Sequence, residues 1–500
     1  MVSSFFGLFT AQRALTASQT VMNVVSNNIA NANTEGYSRQ TANLTTSYAY
    51  PQPIVGTETL PGTFGTGVEI ETITRTRDSF LDAQYRVENC TYGDYLQKQW
   101  AMENIEGILA EPSDSGIISK LDQFFTAAQD LSLNPESLSV RTSFIQQAVD
   151  LTVVLNQQAS QLQELRETLV GNEGDLTSVE QSKLGMYIVD VNSKLESLTH
   201  VNSEIITLKG NGVEPNDLLD QRDSILDELS TLLPLTIVEN TNGSVNVSLG
   251  ANALVTGAVL ENTLSVQNSG NINDPADVLL SGPPVVNVNA DITSGICGGL
   301  LEMGGNDPSK TTVLDMIEEL DLLASQVATE VNALQSSGRY IDSATGLLVD
   351  AAGAYDEIFT GGPPFTAATI SVDQDLIDDP NRISAAAITA ANDEIGSNTQ
   401  ALAIAQLRNV NLAALGNATI SDYQAANVSK LGVQAKSIDD FVDSQGTLVN
   451  QIDLRRESVS GVNLDEELVD LIRFQRAFEA SSRVMSTMND ILDVIINRMA

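Results

Sequence analysis

The chain has 500 residues, and its 65 acidic side chains against 25 Lys and Arg give a formal net charge of −40. This charge opposes binding to nucleic-acid phosphates and anionic membrane surfaces, and it favours solubility and mutual repulsion of subunits before assembly. The length predicts about three domains, and few aromatic residues predict cores of Leu, Ile, Val and Ala. We therefore expect neither nucleic acid nor membrane insertion.

The first predicted element is a helix within the first 33 residues. Apolar and small residues recur there at alternating spacings of three and four, as in the seam of a coiled coil. We call this set the N-terminal seam: Leu8, Ala11, Leu15, Ser18, Met22, Val25 and Ile29. The first ten residues lack the basic region and long apolar stretch of a cleaved secretory signal, so we expect none.

An asparagine-rich segment follows the first helix. Asparagine is unfavourable inside helices and common at their ends, and Gly36 supplies a turn before Tyr37. The asparagines are Asn27, Asn28, Asn31 and Asn33. The pattern predicts a helix end that passes into an extended strand. A glycine-rich turn at 62–67 then precedes a strand that begins at Val68.

Residues from about 77 to 235 show helical spacing, with breaks at Pro112 and Pro135. Asn134–Glu136 is typical of a helix start with proline at the first helical position. Near the end of this stretch, Asp220, Gln221, Arg222 and Asp223 lie on one predicted helix. Asp220 and Asp223 share a face with Asp227, which favours ion pairing at the helix surface over acid–base chemistry.

The period changes after Pro234. Residues 235–239 and 245–249 alternate as strands around Asn242-Gly243, a hairpin turn signal. The β-like character continues to about residue 302, and helical spacing returns over 311–335. A segment rich in Gly, Asp, Ala and Pro follows from 338 to 380, with a β-like stretch at 368–372. Helices resume after Asn398, over 423–441 and from Leu448 onward.

The last predicted element is a helix from Asn463 to Met499, with Asn463 as N-cap and Glu466 three residues later. Its stripe, the C-terminal seam, is Leu464, Leu468, Leu471, Gln475, Phe478, Ser482, Met485, Asn489, Leu492 and Ile496. Polar members of a seam fix register and partner. We expect the two terminal helices to pair with each other or with neighbouring subunits, although each could instead lie on a globular core.

Three segments resemble motifs of the flagellar axial proteins, the family of rod, hook and hook-associated subunits. Residues 27–37 are similar to the N-terminal signature of that family, and Tyr37–Gln40 is similar to the hook-associated members in particular. Residues 460–485 match the C-terminal signature, and 216–223 resemble an internal motif. The matches cover directly about a fifth of the chain, and their order agrees with the family.

The resemblance implies a mainly α fold with a β-rich insertion: terminal coiled-coil helices, a helical-bundle body and a small outer β-domain. The corresponding ranges are 1–60 plus 455–500 for the ends; 61–235, 303–340 and 391–454 for the body; and 236–302 plus 341–390 for the β-domain. It also implies a structural subunit between hook and filament, outside the cell and exported without a cleaved signal. Implied partners are copies of itself in a helical array, the hook protein, a second junction protein and an export chaperone at the C-terminal helix.

Catalytic and metal sites are not indicated. His200 is the single histidine, and Cys90 and Cys297 are the two cysteines, so the usual zinc ligand sets are excluded. A Ser-His-Asp triad would have to use His200, and no feature of the sequence orients that side chain. We expect a surface histidine, two buried thiols rather than a disulfide, no cofactor and no enzyme activity. The acidic residues at 373–379 lack the spacing of a calcium loop and predict a solvated surface.

Two other functions stay open. A rod or hook protein is the nearest, although the 216–223 motif and the length favour a hook-associated member. An exposed adhesin would use the β-rich segment 236–302, which contains no aromatic residue.

Overall fold

The computed structural model describes residues 5–49, 64–172, 175–271, 274–282, 284–305, 311–351, 353, 357–388 and 395–494. Its α-helices in chain order are α1 (Phe6–Ala30), α2 (Ser79–Leu109), α3 (Ile117–Leu133), α4 (Leu138–Val170), α5 (Leu176–Gln181), α6 (Lys183–Gly210), α7 (Asn216–Leu232), α8 (Gly295–Gly304), α9 (Val313–Ser336), α10 (Gln374–Asp378), α11 (Thr399–Gln406), α12 (Ile420–Ser460) and α13 (Leu464–Asp493).

The strands are short in comparison with the helices. They are β1 (Gln40–Thr46), β2 (Val68–Arg75), β3 (Leu235–Glu239), β4 (Val245–Leu249), β5 (Asn252–Thr256), β6 (Val259–Leu260), β7 (Leu264–Asn271), β8 (Asp274–Leu280), β9 (Val286–Asn287), β10 (Gly338–Ile341), β11 (Leu348–Asp350), β12 (Phe359–Thr360), β13 (Ser371–Val372) and β14 (Ala386–Ala387). The predicted fold class, mainly α with a β-rich insertion, is confirmed.

The chain forms two compact units, each assembled from separate stretches of sequence. The first comprises Met1–Cys90, Val191–Thr263 and Gln445–Ala500, and the second comprises Thr91–Asp190 and Leu264–Ser444. Both chain ends therefore belong to the first unit.

In the first unit, α1 and α13 pack along each other in antiparallel orientation. At one end a Cβ added at Gly7 would lie 2.7 Å from Met488 Cε, and at the other end Asn28 contacts Glu467. The antiparallel ribbon β1–β2 packs on α1. This unit also contains a four-stranded sheet of order β3-β4-β5-β6, and Asn202 of α6 donates to the Val245 carbonyl of β4 and to the Gly257 carbonyl between β5 and β6.

The second unit is built around α4, which packs against α3, α8 and α9, while α11 packs on α3. Phe124 is fully buried, and its ring lies 5.1–5.9 Å, centroid to centroid, from three other phenylalanines. These are Phe125, Phe144 and Phe359. The sheets are β7-β8-β9, β11-β10-β14 and β12-β13.

Three local predictions are wrong. The end of the expected β-like segment, to about residue 302, instead forms the helix α8, which packs closely on α2 at Gly299, where an added Cβ would lie 2.7 Å from the Asp94 carbonyl oxygen. The helix predicted to start at Asn134–Glu136 starts at Leu138 with Ser137 as N-cap. The last two helices expected before Asn463 are one continuous helix, α12.

The β-rich segment contributes to both units, with β3–β6 in the first and β7–β9 in the second. The sequence pattern contains no signal for this division, because alternation identifies strands but not the sheet they join. The three domain ranges derived from the resemblance stay predictions.

Candidate assembly site

The N-terminal seam lies on α1, which packs against α13 and the ribbon β1–β2. Its small members are buried and its larger members are half-buried. Buried are Ala11, Ser18 and Val25; half-buried are Leu8, Leu15, Met22 and Ile29. All seven residues therefore lie on sides of α1 that are at least partly covered.

The C-terminal seam divides between two faces of α13. Half-buried are Leu471, Phe478, Met485 and Leu492, whereas Leu464, Leu468, Gln475, Ser482 and Asn489 are exposed. Ile496 lies outside the described residues. The predicted seam places Gln475, Ser482 and Asn489 between the half-buried residues. In the structure the half-buried residues at these places are instead the preceding ones in the sequence, Phe474, Ser481 and Met488. Burial of Phe474 and Met488 in place of Gln475 and Asn489 follows from the free energy gained by removing apolar surface from water.

Asn28, the second asparagine of the motif, is buried where the end of α1 meets the start of α13. Its Nδ2 donates to Glu467 Oε2 at 3.0 Å and to the Gln40 carbonyl at 2.9 Å. Its Oδ1 accepts from the Tyr37 hydroxyl at 2.8 Å and from the Gln40 amide at 3.0 Å. One amide side chain thus joins three segments of the chain.

The other asparagines of the motif hold the end of α1. Asn27 Nδ2 donates to the Tyr37 hydroxyl at 3.3 Å, and Asn31 Nδ2 donates to the Asn27 carbonyl at 3.0 Å. Asn33 is exposed. Gly36 has a φ of +78°, which a side chain would strain, and it turns the chain into the strand that follows.

The residues after this turn dock on α7, the helix that carries the internal motif. Ser38 Oγ donates to Asp220 Oδ1 at 2.7 Å, and the Ser38 amide donates to Asp220 Oδ2 at 3.1 Å. Gln40 Nε2 reaches Asp217 Oδ1 at 3.1 Å. Gln221 is exposed. The N-terminal and internal motifs are therefore in direct contact.

Asp223 lies deeper on the same face of α7. Arg75 Nη1 bridges Asp220 and Asp223 at 2.7 and 3.0 Å, and Arg222 Nη2 lies 3.0 Å from Asp223. Arg222 also donates to the Gly243 carbonyl at 2.6 Å. Asp220, Arg222 and Asp223 are all buried, so these ion pairs join distant segments instead of lying on the helix surface as predicted.

The C-terminal part of α12 enters the same cluster through Arg456. Its Nη2 lies 2.6 Å from Asp227 Oδ2, its Nε lies 2.9 Å from Asp82 Oδ1, and its guanidinium covers the Tyr85 ring at 4.2 Å. Together these groups form what we call the ionic network: Arg75, Arg77, Asp82, Arg86, Asp220, Arg222, Asp223, Asp227 and Arg456.

In the ionic network, nearby groups of opposite charge offset the cost of burying each charged side chain. Although burial favours the neutral acid, Arg222 and then Arg77, Arg75 and Arg86 lower the pKa of Asp223 to about 2. Burial disfavours the charged form of Arg77, yet the carboxylates of its neighbours raise its pKa. Asp223 and Arg77 therefore both carry their charge at neutral pH.

Sequence reasoning overlooked Arg39, Arg77, Arg456 and Glu467, which connect the motifs. Arg39 Nε lies 2.7 Å from Glu467 Oε1, and its backbone amide donates to the Ser460 carbonyl at 2.8 Å. A signal was present: cations are scarce in this chain, yet Arg75 and Arg77 lie two residues apart, and Arg39 lies inside the matched segment Tyr37–Gln40.

The other residues considered for catalysis or metal binding are one surface histidine and two buried cysteine thiols. His200 is exposed and lies 3.5 Å from Glu204 one turn later. Cys90 and Cys297 are buried and form no disulfide, as predicted. Across the described ranges, no group of three His, Cys, Asp or Glu side chains could hold a metal ion. No helix in that same part of the chain has an apolar stretch long enough to span a bilayer.

Comparison with known proteins identifies related families over most of the chain. The model of the flagellar hook-associated protein FlgK helical domain matches residues 102–348. The flagella basal body rod protein model matches 8–37, and the flagellar basal body rod FlgEFG protein C-terminal model matches 456–499. The two rod models cover the terminal helices that pair in the first unit.

Whole-chain relatives agree with these matches. Flagellar hook-associated protein 1 of Bacillus subtilis (strain 168) is 30% identical over 527 residues, which cover 100% of this chain and 99% of the relative. The protein of the same name from Escherichia coli (strain K12) is 27% identical, over 97% of this chain and 98% of its own length.

A solved structure has a similar fold. The flagellar hook junction protein FlgK from Burkholderia pseudomallei matches with a TM-score of 0.62 and 16% identity, over 75% of this chain and 100% of that one. At this identity the match supports the fold alone. The full-length relative at 30% identity shows the family, so the chain belongs to the flagellar hook-associated protein 1 family, a structural family of the bacterial flagellum and not a family of enzymes.

Proposed function

We propose that this chain joins hook to filament by placing its paired terminal helices among those of neighbouring subunits in a helical array. The domain ranges expected from the resemblance give the arrangement: ends 1–60 and 455–500 toward the axis, the helical body outside them, and the β-rich segments outermost. Repeated contacts between unlike surfaces that do not close on themselves generate such an array.

The observation that supports this proposal is the apolar surface that α13 leaves uncovered. Leu468 and Ile472 are 48% and 57% exposed, and Leu464 and Val469 beside them are exposed as well. An exposed cluster of large aliphatic side chains on one helix is typical of a protein–protein contact. We therefore call the exposed members of the C-terminal seam, together with Val469 and Ile472, the exposed seam and assign it to contacts between subunits. We assign the half-buried members of the C-terminal seam to the pairing of α13 with α1.

The proposed partners follow from this division of faces. Copies of the chain and the hook protein would contact the exposed seam, and the second junction protein would contact the opposite end of the array. Before assembly, an export chaperone would cover the same exposed side of the C-terminal helix. Export without a cleaved signal belongs to the proposal too.

Co-sedimentation with isolated hooks tests the proposal. The full-length chain is compared with a version that lacks residues 1–33 and 463–500, and with the double variant Leu468→Ser and Ile472→Ser. Val153→Ser, at a 54% exposed position of α4, is the matched control. We expect the full-length chain and the control to pellet with hooks, and the other two to lose binding about tenfold or more.

Hook binding by the trimmed chain would mean that attachment uses other surfaces, and the role of the ends would be wrong. Absence of binding by the folded full-length chain would contradict the junction role. An exposed adhesin built on 236–302 would then be the leading alternative.

A further inference from the structure

We infer that Arg39 is the positioning residue of the C-terminal helix: it fixes α13 relative to the end of α12 and so orients the exposed seam. The consequence for assembly rests on the proposed function. The structural statement is independent of it and can be tested on the isolated chain.

Arg39 bonds to both sides of the linker Gly461–Asn463, the three residues between α12 and α13. Its amide donates to the carbonyl of Ser460, the last residue of α12. Its guanidinium lies 3.0 Å from Glu466 and 2.7 Å from Glu467, in the first turn of α13. A residue from the N-terminal part of the chain therefore holds the two helices on either side of their only covalent connection.

The contact with Glu467 requires well-placed donors, because the Glu467 side chain is only 2% exposed. A buried carboxylate is costly unless charged and polar donors surround it. One oxygen of Glu467 accepts from Arg39 and the other accepts from Asn28 Nδ2 at 3.0 Å. Both donors belong to the N-terminal segment, so α13 can bury Glu467 only where that segment is in place.

The helical state of α13 has separate causes. Asn463 Oδ1 accepts from the Asp465 amide at 3.0 Å and caps the helix. Three acidic residues in the first turn also favour the helix through its dipole: Asp465, Glu466 and Glu467. The Asn463 cap does not involve Arg39, whereas Glu466 and Glu467 are also the carboxylates that pair with it. Arg39 therefore acts on where the helix docks, and the cap acts on where the helix begins.

Hydrogen exchange on the full-length chain tests this docking, because a helix released from its tertiary contacts is marginally stable in water and its amides open more often. The variants are Arg39→Ala, Arg39→Lys and Glu467→Gln, and Arg476→Ala is the matched control because Arg476 is a 77% exposed arginine of α13. We expect amides of residues 464–494 to exchange about tenfold faster in Arg39→Ala, with α3 and α4 unchanged. Arg39→Lys and Glu467→Gln should show intermediate increases, and Arg476→Ala should match the wild type.

Equal exchange in α13 for Arg39→Ala and wild type would overturn the inference. So would faster exchange throughout the chain, since Arg39 would then support general stability. A wild-type α13 that exchanges without protection would also overturn it. The same variants are then tested for hook co-sedimentation. If wild type shows the expected exchange pattern but no hook binding, the proposed function fails while the positioning role of Arg39 stands.

Discussion

The ionic network of the first unit and the phenylalanine cluster of the second are both buried, but they use different physics. The network joins β2, α2, α7 and α12 through ion pairs of 2.6 to 3.9 Å. The cluster places three phenylalanines around Phe124 without charge. Charged groups must meet particular partners, whereas apolar side chains need only fill the volume.

The ionic network also accounts for the specific pairing of segments that are far apart in the sequence. The first unit combines three stretches of chain, two of which are the first and the last parts of the sequence. A wrong register there would leave charges buried without partners, so the network selects one arrangement. The phenylalanine cluster can tolerate apolar exchanges of similar volume, because it requires a filled volume and not a particular charged partner.

Removing a ring from the aromatic cluster should have the largest effect. Phe124→Ala leaves a cavity and should lower the free energy of unfolding of the second unit by about 4 kcal/mol. The single Trp100 lies in this unit, so its fluorescence during denaturant unfolding measures the change.

The matched control is Phe9→Ala at a 59% exposed position of α1, where we expect almost no change. A loss below about 1 kcal/mol for Phe124→Ala would mean that the cluster does not stabilise the unit.

A substitution in the ionic network should have the second largest effect on stability. Asp223→Asn leaves Arg75, Arg77, Arg86 and Arg222 short of one negative charge and should destabilise the first unit by about 3 kcal/mol. Exchange protection of α1 and α7 measures the loss. Because the folded-state pKa of Asp223 is about 2 and the model-peptide value is 3.8, its contribution is present above pH 3.8 and is lost as pH falls toward 2.

Wild type should therefore lose stability over that acid window, and Asp223→Asn should lose less over the same window. Asp453→Asn, an exposed carboxylate beside Arg456, is the control and should behave as wild type. A parallel acid response in wild type and Asp223→Asn would contradict the assignment.

The smallest predicted effect concerns Tyr37. Burial first, and then Asp217, Asp220 and Glu467, raise its pKa to about 12. Its stabilising contribution is present below the ordinary tyrosine pKa of 10.0 and is lost as pH rises through about 12. Tyr37→Phe removes the hydrogen bond to Asn28 and should cost about 1 kcal/mol at neutral pH.

The measurement is the hydrogen-exchange protection of α1 amides at increasing denaturant concentration. The control is Tyr48→Phe, because Tyr48 is 80% exposed. If Tyr37→Phe retains the alkaline loss of wild type over pH 10 to 12, another group is responsible.

The sequence by itself predicted the features that depend on near neighbours in the chain. Heptad spacing located the terminal helices, Pro234 and Asn242-Gly243 located the first hairpin, and Asn463 located the start of α13. Each rests on periodicity or on capping and turn chemistry within a few residues, and such signals are readable without a fold.

Tertiary structure alone decided which surfaces and partners these elements use. Phe474 and Met488 are half-buried where Gln475 and Asn489 are exposed, and Glu467 is buried among residues more than four hundred positions away. The aspartates of α7 were visible as one helix face, but apart from Arg222 their arginine partners come from outside α7, among them Arg75 of β2, Arg86 of α2 and Arg456 of α12. Ion pairs between distant segments leave no periodic signal, because Coulomb attraction depends on separation in space and not on separation along the chain.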